Sequence, residues 1–477
     1  MQDTILVFCR DRQQAGLMTR TLRYREFFCL PVDFETTAQQ VRAMEPRGLL
    51  IAGNGVDALE GLDFELFQLN IPVLVLGGAA SILCTHFGGA CTRASTDRGF
   101  VTLGFENEPL FEEVSSGERM MGGLDELLLS DALSPIATAT EQVIGFRHRE
   151  LPLYAIQYPV ERNDPDAAQM LANFAAICGM KAEWNEEAII EHAVNALRQA
   201  APEGRVLCAV SGGVDSAVCA RLASMAVGER LRCVFVDTGM FRRHEPQDVI
   251  QRFGEHLHLT VEHVDAQDSF LRALSGVTSP TDKERIAGQL MNQMLLKQLA
   301  ADPEIRTVIT GTNFNDVFFG GISTSSMPEN IQVCEPVRDL FKEEVRRLAT
   351  ALDLPGTFTN RQPFPASGLA LRVFGSLTEE RLKLLREADA IFAEEIREGG
   401  YDRRLWQFYA TLIDSPDRPG SYAVCLRATQ SAGGGANAAR IPYDVLERAA
   451  ERIRTELAGV TRIVYDLTPS AHFGELE

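Results

Sequence analysis

Six consecutive residues, Ser211-Gly212-Gly213-Val214-Asp215-Ser216, have the types and spacing to hold a polyanion. Glycines let the backbone approach an anion closely, and successive N–H groups then converge on it. Ser211 and Ser216 add hydroxyl donors. No lysine closes the run, so it is not a Walker loop that cuts a nucleoside triphosphate at its γ-phosphate. It suits ATP held for attack at the α-phosphorus, with pyrophosphate as the leaving group. Ser211, Gly212, Gly213, Val214, Asp215 and Ser216 are the expected ATP-binding residues, joined by Val236 and Gly311 at the ends of two further apolar runs. Asp215 and Asp316 are the expected Mg²⁺ ligands, because this hard ion takes oxygen ligands shared with phosphates. Asp215, Ser216 and Asp316 form the expected catalytic set. For either aspartate the competing reading is a helix cap, worth about 1 kcal/mol.

These residues need a strand before them and a helix after. Residues 206–210, Val-Leu-Cys-Ala-Val, read as that strand. Further strands are expected at 231–236, 260–264 and 307–310, so Val236 and Gly311 fall at strand ends, where open α/β sheets bind ligands. An amphipathic helix over 186–200 precedes the series and stops at Ala201-Pro202-Glu203-Gly204. An earlier βα series has strands at 4–8, 48–52 and 71–76, with more near 99–104 and 153–158, and implies a mostly parallel sheet. Past residue 360 the pattern becomes α+β. Helices are expected at 378–398 and 442–457, strands at 421–428 and 462–467, and a flexible linker or loop at 431–436. The fold class is α/β: two successive parallel-sheet domains followed by a small α+β domain.

The chain has 477 residues, a length that suggests about three domains. Its formal net charge is −20, which argues against a broad nucleic-acid surface. No run approaches the roughly 20 apolar residues of a membrane helix, and the first residues lack the pattern of a secretory signal. A cytoplasmic protein is expected. The ten cysteines show no C-x-x-C pair and no metal-ligand spacing, so reduced, buried thiols are expected.

Beyond the loop, several stretches resemble the glutamine-hydrolysing GMP synthase family over nearly the whole chain. They include Cys233-Val234-Phe235-Val236-Asp237, Glu284-Arg285-Ile286-Ala287-Gly288, and Glu335-Pro336-Val337-Arg338-Asp339-Leu340-Phe341-Lys342-Glu343-Glu344. Arg361-Gln362-Pro363-Phe364-Pro365, Ala388-Asp389-Ala390, Leu426-Arg427-Ala428 and Val464-Tyr465-Asp466 continue the likeness. The resemblance implies three parts. Residues 1–188 would be a class I amidotransferase-like domain, 189–362 an ATP pyrophosphatase domain, and 363–477 a dimerisation domain that makes a homodimer. It implies a ligase of purine metabolism that adenylates the 2-oxo group of XMP and lets ammonia displace AMP. Arg285, Arg361 and Ser367 are the substrate residues it points to.

The departures from that family pattern are equally specific. The amidotransferase nucleophile position holds Gly77, and Pro159 stands where the base should be. A glycine cannot attack and a proline cannot take a proton, so glutaminase activity is expected to be lost. Cys84 and His86 lie nearby but on the following helix pattern. The lysine-bearing lid is reduced to 317–334 with no lysine, the turn after Phe364 reads Pro365-Ala366-Ser367-Gly368, and the C-terminal lysine is missing. Losing a cation removes charge-assisted bonds of about 1.5–3 kcal/mol each, so XMP is expected to be a poor substrate or none. The leading expectation is a ligase acting on a purine-like small molecule, with ammonia either free or from a separate donor protein. One alternative is sulfur transfer from a sulfur donor, with Cys334 the first thiol to test. The other is an ATP-binding regulatory pseudoenzyme.

Overall fold

The structure is a computed structural model that describes residues 3–55, 57–92, 98–160, 164–318, 327–359, 361–362, 364, 367–416, 418–432 and 435–468. Contacts divide the chain into two compact units, Met1–Ile189 and Ile190–Glu477.

The first unit is built on a nine-stranded sheet. Cys29–Val32, Ile5–Cys9, Gly48–Ala52, Val73–Leu76 and Leu153–Ile156 are parallel neighbours. The middle three are buried at every position. Their sequences are therefore continuous apolar runs, because both faces of such a sheet are covered. The other half departs from the mostly parallel expectation. Gln142–His148, Leu133–Ala139, Arg98–Phe105 and Gly117–Gly122 continue the sheet as antiparallel strands. Only Thr140 and Glu141 join Leu133–Ala139 to Gln142–His148, with Thr140 at φ 55°. A connection that short can only return the strand antiparallel.

The second unit holds a five-stranded parallel sheet: β1 (Arg205–Ala209), β2 (Leu231–Asp237), β3 (Val261–Asp265), β4 (Ile305–Ile309) and β5 (Gln332–Cys334). The spatial order is β3-β2-β1-β4-β5. The chain winds outward from β1 to β3, then crosses to β4 on the other side. The carboxyl ends of β1 and β4 therefore flank a topological switch point, the place where open α/β sheets bind ligands. The four expected strands lie within two residues of their sequence positions. The three-residue β5 had no readable signal.

The C-terminal part pairs Gln407–Asp414 antiparallel with Tyr422–Ala432, and Val460–Tyr465 lies parallel on the other edge of the latter. Helices Glu379–Glu398 and Tyr443–Glu456 pack with this sheet and with each other. Of the segment expected to be a flexible linker or loop at 431–436, residues 431, 432, 435 and 436 are paired in an antiparallel ladder. Tyr422–Ala432 pairs with Gly435–Ala438 in a register that runs from Thr429↔Ala438 to Ala432↔Gly435. Gly433 and Gly434 lie outside the described residues.

One apolar core spans the second unit. Val236, Met240, Phe270 and Leu274 pack in the same cluster as Leu369, Leu385, Phe392, Ala410 and Val424. The division of this unit at 362/363 is a proposal about modules.

Candidate active site

β1 delivers the chain into the phosphate loop, and the helix Val214–Val227 begins with Gly213 as its N-cap and no side-chain cap bond. Gly212 sits at φ 76°, and a Cβ there would lie 2.3 Å from Val249 Cγ2. Both backbone and space exclude a side chain. Across the switch point, a Cβ on Gly311 would lie 3.3 Å from Ser216 N and 3.4 Å from Asp215 Cβ. The loop after β4 thus rests directly on the start of the helix. Ser216 Oγ donates to Gly213 O at 3.0 Å and accepts from Ser211 N at 3.2 Å. Gly213 N donates to Ser211 Oγ at 3.3 Å. The loop's own hydroxyls hold two of the N–H donors that an anion would engage.

Asp215 is the second residue of the helix. Its Oδ2 pairs with Lys342 Nζ, and its buried Oδ1 has no hydrogen-bond partner. Asp316 Oδ2 accepts from Asn313 N at 2.9 Å. Burial first, and then the charge of Asp215, push the Asp316 carboxyl above its ordinary pKa, while the Asn313 N–H and Lys342 act against them. The two carboxylates therefore sense each other. Among the described residues there is no group of three or more His, Cys, Asp or Glu that could hold a metal. The orphaned Oδ1 and the nearby Asp316 fit a hard cation that draws its remaining oxygens from phosphates and water.

Lys342 is not among the site residues expected from the sequence, although it stands in the stretch Glu335–Glu344 that resembles the family. It opens the helix Lys342–Ala351. A cation is disfavoured at a helix N-terminus, so a lysine at that position was the available signal.

Arg361 lies at the loop. Its Nη1 donates to Ser211 O at 3.1 Å, and its Nη2 pairs with Glu245. A cavity of about 980 Å³ opens beside it, lined in part by Arg242, Glu245, Asp389, Trp406 and Phe408. The guanidiniums of Arg242, Arg361 and Arg372 stand 4.9, 6.0 and 5.1 Å from the Phe364 ring centre. Arg372 is 1% exposed, and its Nε and Nη2 have no hydrogen-bond partner among the described residues. Burial lowers its pKa to about 10. Asp389 holds the group together, at 3.0 Å from Arg242 Nε and 3.4 Å from Arg372 Nη1.

Ser367 is buried with an unpartnered Oγ. Val236 is buried at the end of β2. Next to it, Asp237 accepts from Gly239 N at 2.9 Å and faces His263 Nε2 at 3.2 Å. Arg285 stands apart: it is exposed and pairs with Asp282 and Gln289 of its own helix. Cys334 is half-buried, and burial followed by Glu335 raises its thiol pKa, which disfavours the thiolate that sulfur chemistry needs. Ala366, the C-terminal stretch from Pro469 and residues 319–326 of the shortened lid lie outside the described residues.

Family models match at two places: NAD synthase at 187–384 and the GMP synthase C-terminal domain at 394–472. The glutamine-hydrolysing GMP synthase of Bacillus cytotoxicus is 35% identical, with 98% of this chain and 97% of that protein covered. The chain belongs to the GMP synthase family. The same-named protein of Carboxydothermus hydrogenoformans is 32% identical, with 98% of each chain covered. Membership places the chain among ATP-dependent ligases with a PP-loop domain. Among solved structures, a putative GMP synthase subunit protein from Thermoplasma acidophilum is 24% identical with a TM-score of 0.33, covering 38% of this chain and 95% of that one. NMN synthetase from Francisella tularensis is 22% identical with a TM-score of 0.32, covering 41% and 80%. No described helix is long and apolar enough to cross a membrane.

The first unit keeps the turn in which the family pattern has its nucleophile. Gly77 follows Val73–Leu76 at φ 74°. A Cβ on it would lie 2.6 Å from Asn54 Oδ1 and 2.9 Å from Gly53 O. Pro159 is half-buried after Tyr158, whose hydroxyl donates to Asp164. Cys84 is fully buried, and burial pushes its thiol up to about 11. His86 instead stacks with Phe64, ring centres 4.5 Å apart. No bond joins Cys84 to His86 among the described contacts.

Proposed function

We infer that the chain is an ATP-dependent ligase of GMP synthase type that adenylates an oxygen of a purine-nucleotide-like acceptor and then admits ammonia. The observation that carries this reading is the convergence at the switch point: Ser211–Ser216, the Asp215–Lys342 pair and Arg361 meet on one loop. ATP would lie with its phosphates over Ser211, Gly213 and the start of the helix, where N–H groups and the helix dipole favour anions. Lys342 and Arg361 supply positive charge to the same place, which suits a departing pyrophosphate. Mg²⁺, held by Asp215 and Asp316, would add charge neutralisation on the phosphates. The cavity lined by Arg242, Arg361, Trp406 and Phe408 offers aromatic side chains and cations to a planar, anionic acceptor.

The first unit is read as having lost its glutaminase. Gly77 offers no nucleophile, and its surroundings leave no room for one. Ammonia then comes from solution or from a separate protein. Homodimerisation through residues 365–477 belongs to the same reading. Tyr443 and Leu467, 78% and 69% exposed, leave apolar surface for it, and a stable monomer in light scattering at micromolar concentration would remove that part.

The test is pyrophosphate and AMP release from ATP, Mg²⁺ and ammonium with a panel of purine nucleotides. Acceptor-dependent release of both in equal amounts is expected, with XMP among the poor acceptors. Efficient conversion of XMP to GMP would restore the family's ordinary substrate. Absence of pyrophosphate release with every acceptor in the panel would leave an ATP-binding regulatory protein.

A further inference from the structure

Lys283 is 1% exposed, yet it carries an ammonium that the phosphate chemistry does not use. It lies one turn into the helix Pro280–Ala301. Its Nζ donates to three backbone carbonyls: Val373 O at 2.6 Å, Gly375 O at 2.9 Å and Ala370 O at 3.2 Å. Three carbonyl oxygens converging on one point form a cage for a small cation. Here the cation is part of the chain and uses all three of its donors. Burying an ammonium is costly unless it is hydrogen-bonded, and no carboxylate is bonded to this one. Burial first, and the nearby Arg381 second, lower its pKa to about 8. The three carbonyls bind the charged form and act in the other direction.

The caged segment is a short turn, Gly368–Arg372, with the residues that follow it. At its start Gly368 has φ 63°, and a Cβ there would lie 2.3 Å from Met240 O. Leu369 N donates to that same Met240 O at 2.7 Å. Arg381 Nη1 takes two more carbonyls, Ser376 O at 3.0 Å and Phe374 O at 3.2 Å. The turn is thus pressed between the chain that leaves β2 and two side-chain cations. Ser367 and Arg372, each with unpartnered buried donors, sit at its two ends.

We propose that Lys283 is a positioning residue whose ammonium is a built-in cation in a tricarbonyl site, fixing the turn whose Arg372 holds Asp389 and, through it, Arg242 in the wall of the acceptor cavity. The acceptor part of this statement rests on the ligase reading. The positioning part does not.

The experiment uses the full chain at pH 7. Hydrogen exchange across 368–377 is compared in the wild type and Lys283→Ala, with and without propylammonium or 1-propanol. Binding of a non-hydrolysable ATP analogue with Mg²⁺ is titrated alongside. Lys283→Ala is expected to raise exchange in this segment at least tenfold while changing analogue binding less than twofold. Propylammonium should restore protection and 1-propanol should not. Unchanged exchange in the variant, or equal rescue by both compounds, would overturn the proposal, since filling the space would then be enough. If Lys283→Ala does not fold, Lys283→Met keeps the chain volume without the charge. Wild-type protection of 368–377 in that variant would overturn the proposal as well. Failure of the wild type to bind the analogue would sink the ligase reading and leave the exchange result standing.

Discussion

Two turns in this chain share one backbone solution and differ in what they carry. Gly77 follows the fully buried parallel strand Val73–Leu76 at φ 74°, and Gly212 lies three residues past β1, a parallel strand buried at its centre, at φ 76°. Each precedes a helix, Ala79–His86 in one case and Val214–Val227 in the other. In both, a Cβ would collide with a neighbouring segment: the Gly53-Asn54 loop at Gly77 and Val249 of the helix Glu245–Leu257 at Gly212. After Gly212 come Asp215 and Ser216, with Lys342 and Arg361 brought in from elsewhere. After Gly77 come Gly78, Ala79 and Ala80. The sheet dictates a sharp turn at such a strand end, but chemistry depends on the side chains that the turn presents. The turn at Gly77 itself presents no side chain, which is the ground for the proposed loss of the glutaminase.

The comparison breaks most visibly at Gly212. Gly212→Ala places a Cβ against Val249 in a left-handed conformation, so Mg²⁺-dependent ATP binding should be lost altogether in calorimetry. Gly77→Ala has the same local conflict and should leave ATP binding unchanged. Next in size is Lys342→Met, expected to weaken ATP or pyrophosphate binding roughly tenfold to a hundredfold, the value of one charge-assisted bond. The smallest effect belongs to the first unit. Gly77→Cys should lower thermal stability by about 1–3 kcal/mol through strain and crowding against Asn54. It should release no glutamate from glutamine, because Pro159 offers no base. Glutamate release by that variant, or by the wild type, would show the first unit to be a working glutaminase after all.

Most of the fold was readable because parallel strands are buried on both faces and show as apolar runs. The antiparallel half of the first sheet was not, since its direction is set by a two-residue connection at Thr140 rather than by its strands. The phosphate loop was readable because its donors are contiguous. Lys342 and Arg361 lie 127 and 150 positions from the residues they contact, and only folding brings them there. The same holds for Lys283, whose carbonyl partners lie 87 to 92 positions away. Arg285, singled out by resemblance, faces solvent with partners on its own helix.

The helix-cap reading of Asp215 is already weakened, because its carboxylate pairs with Lys342 and Gly213 holds the N-cap position. The decisive measurement is Mg²⁺-dependent ATP binding by Asp215→Asn, with the thermal midpoint recorded on the same sample. If Asp215 holds the metal, the midpoint stays nearly unchanged and Mg²⁺-dependent binding disappears. A lowered midpoint with Mg²⁺-dependent binding retained would contradict the metal role and return Asp215 to a structural one.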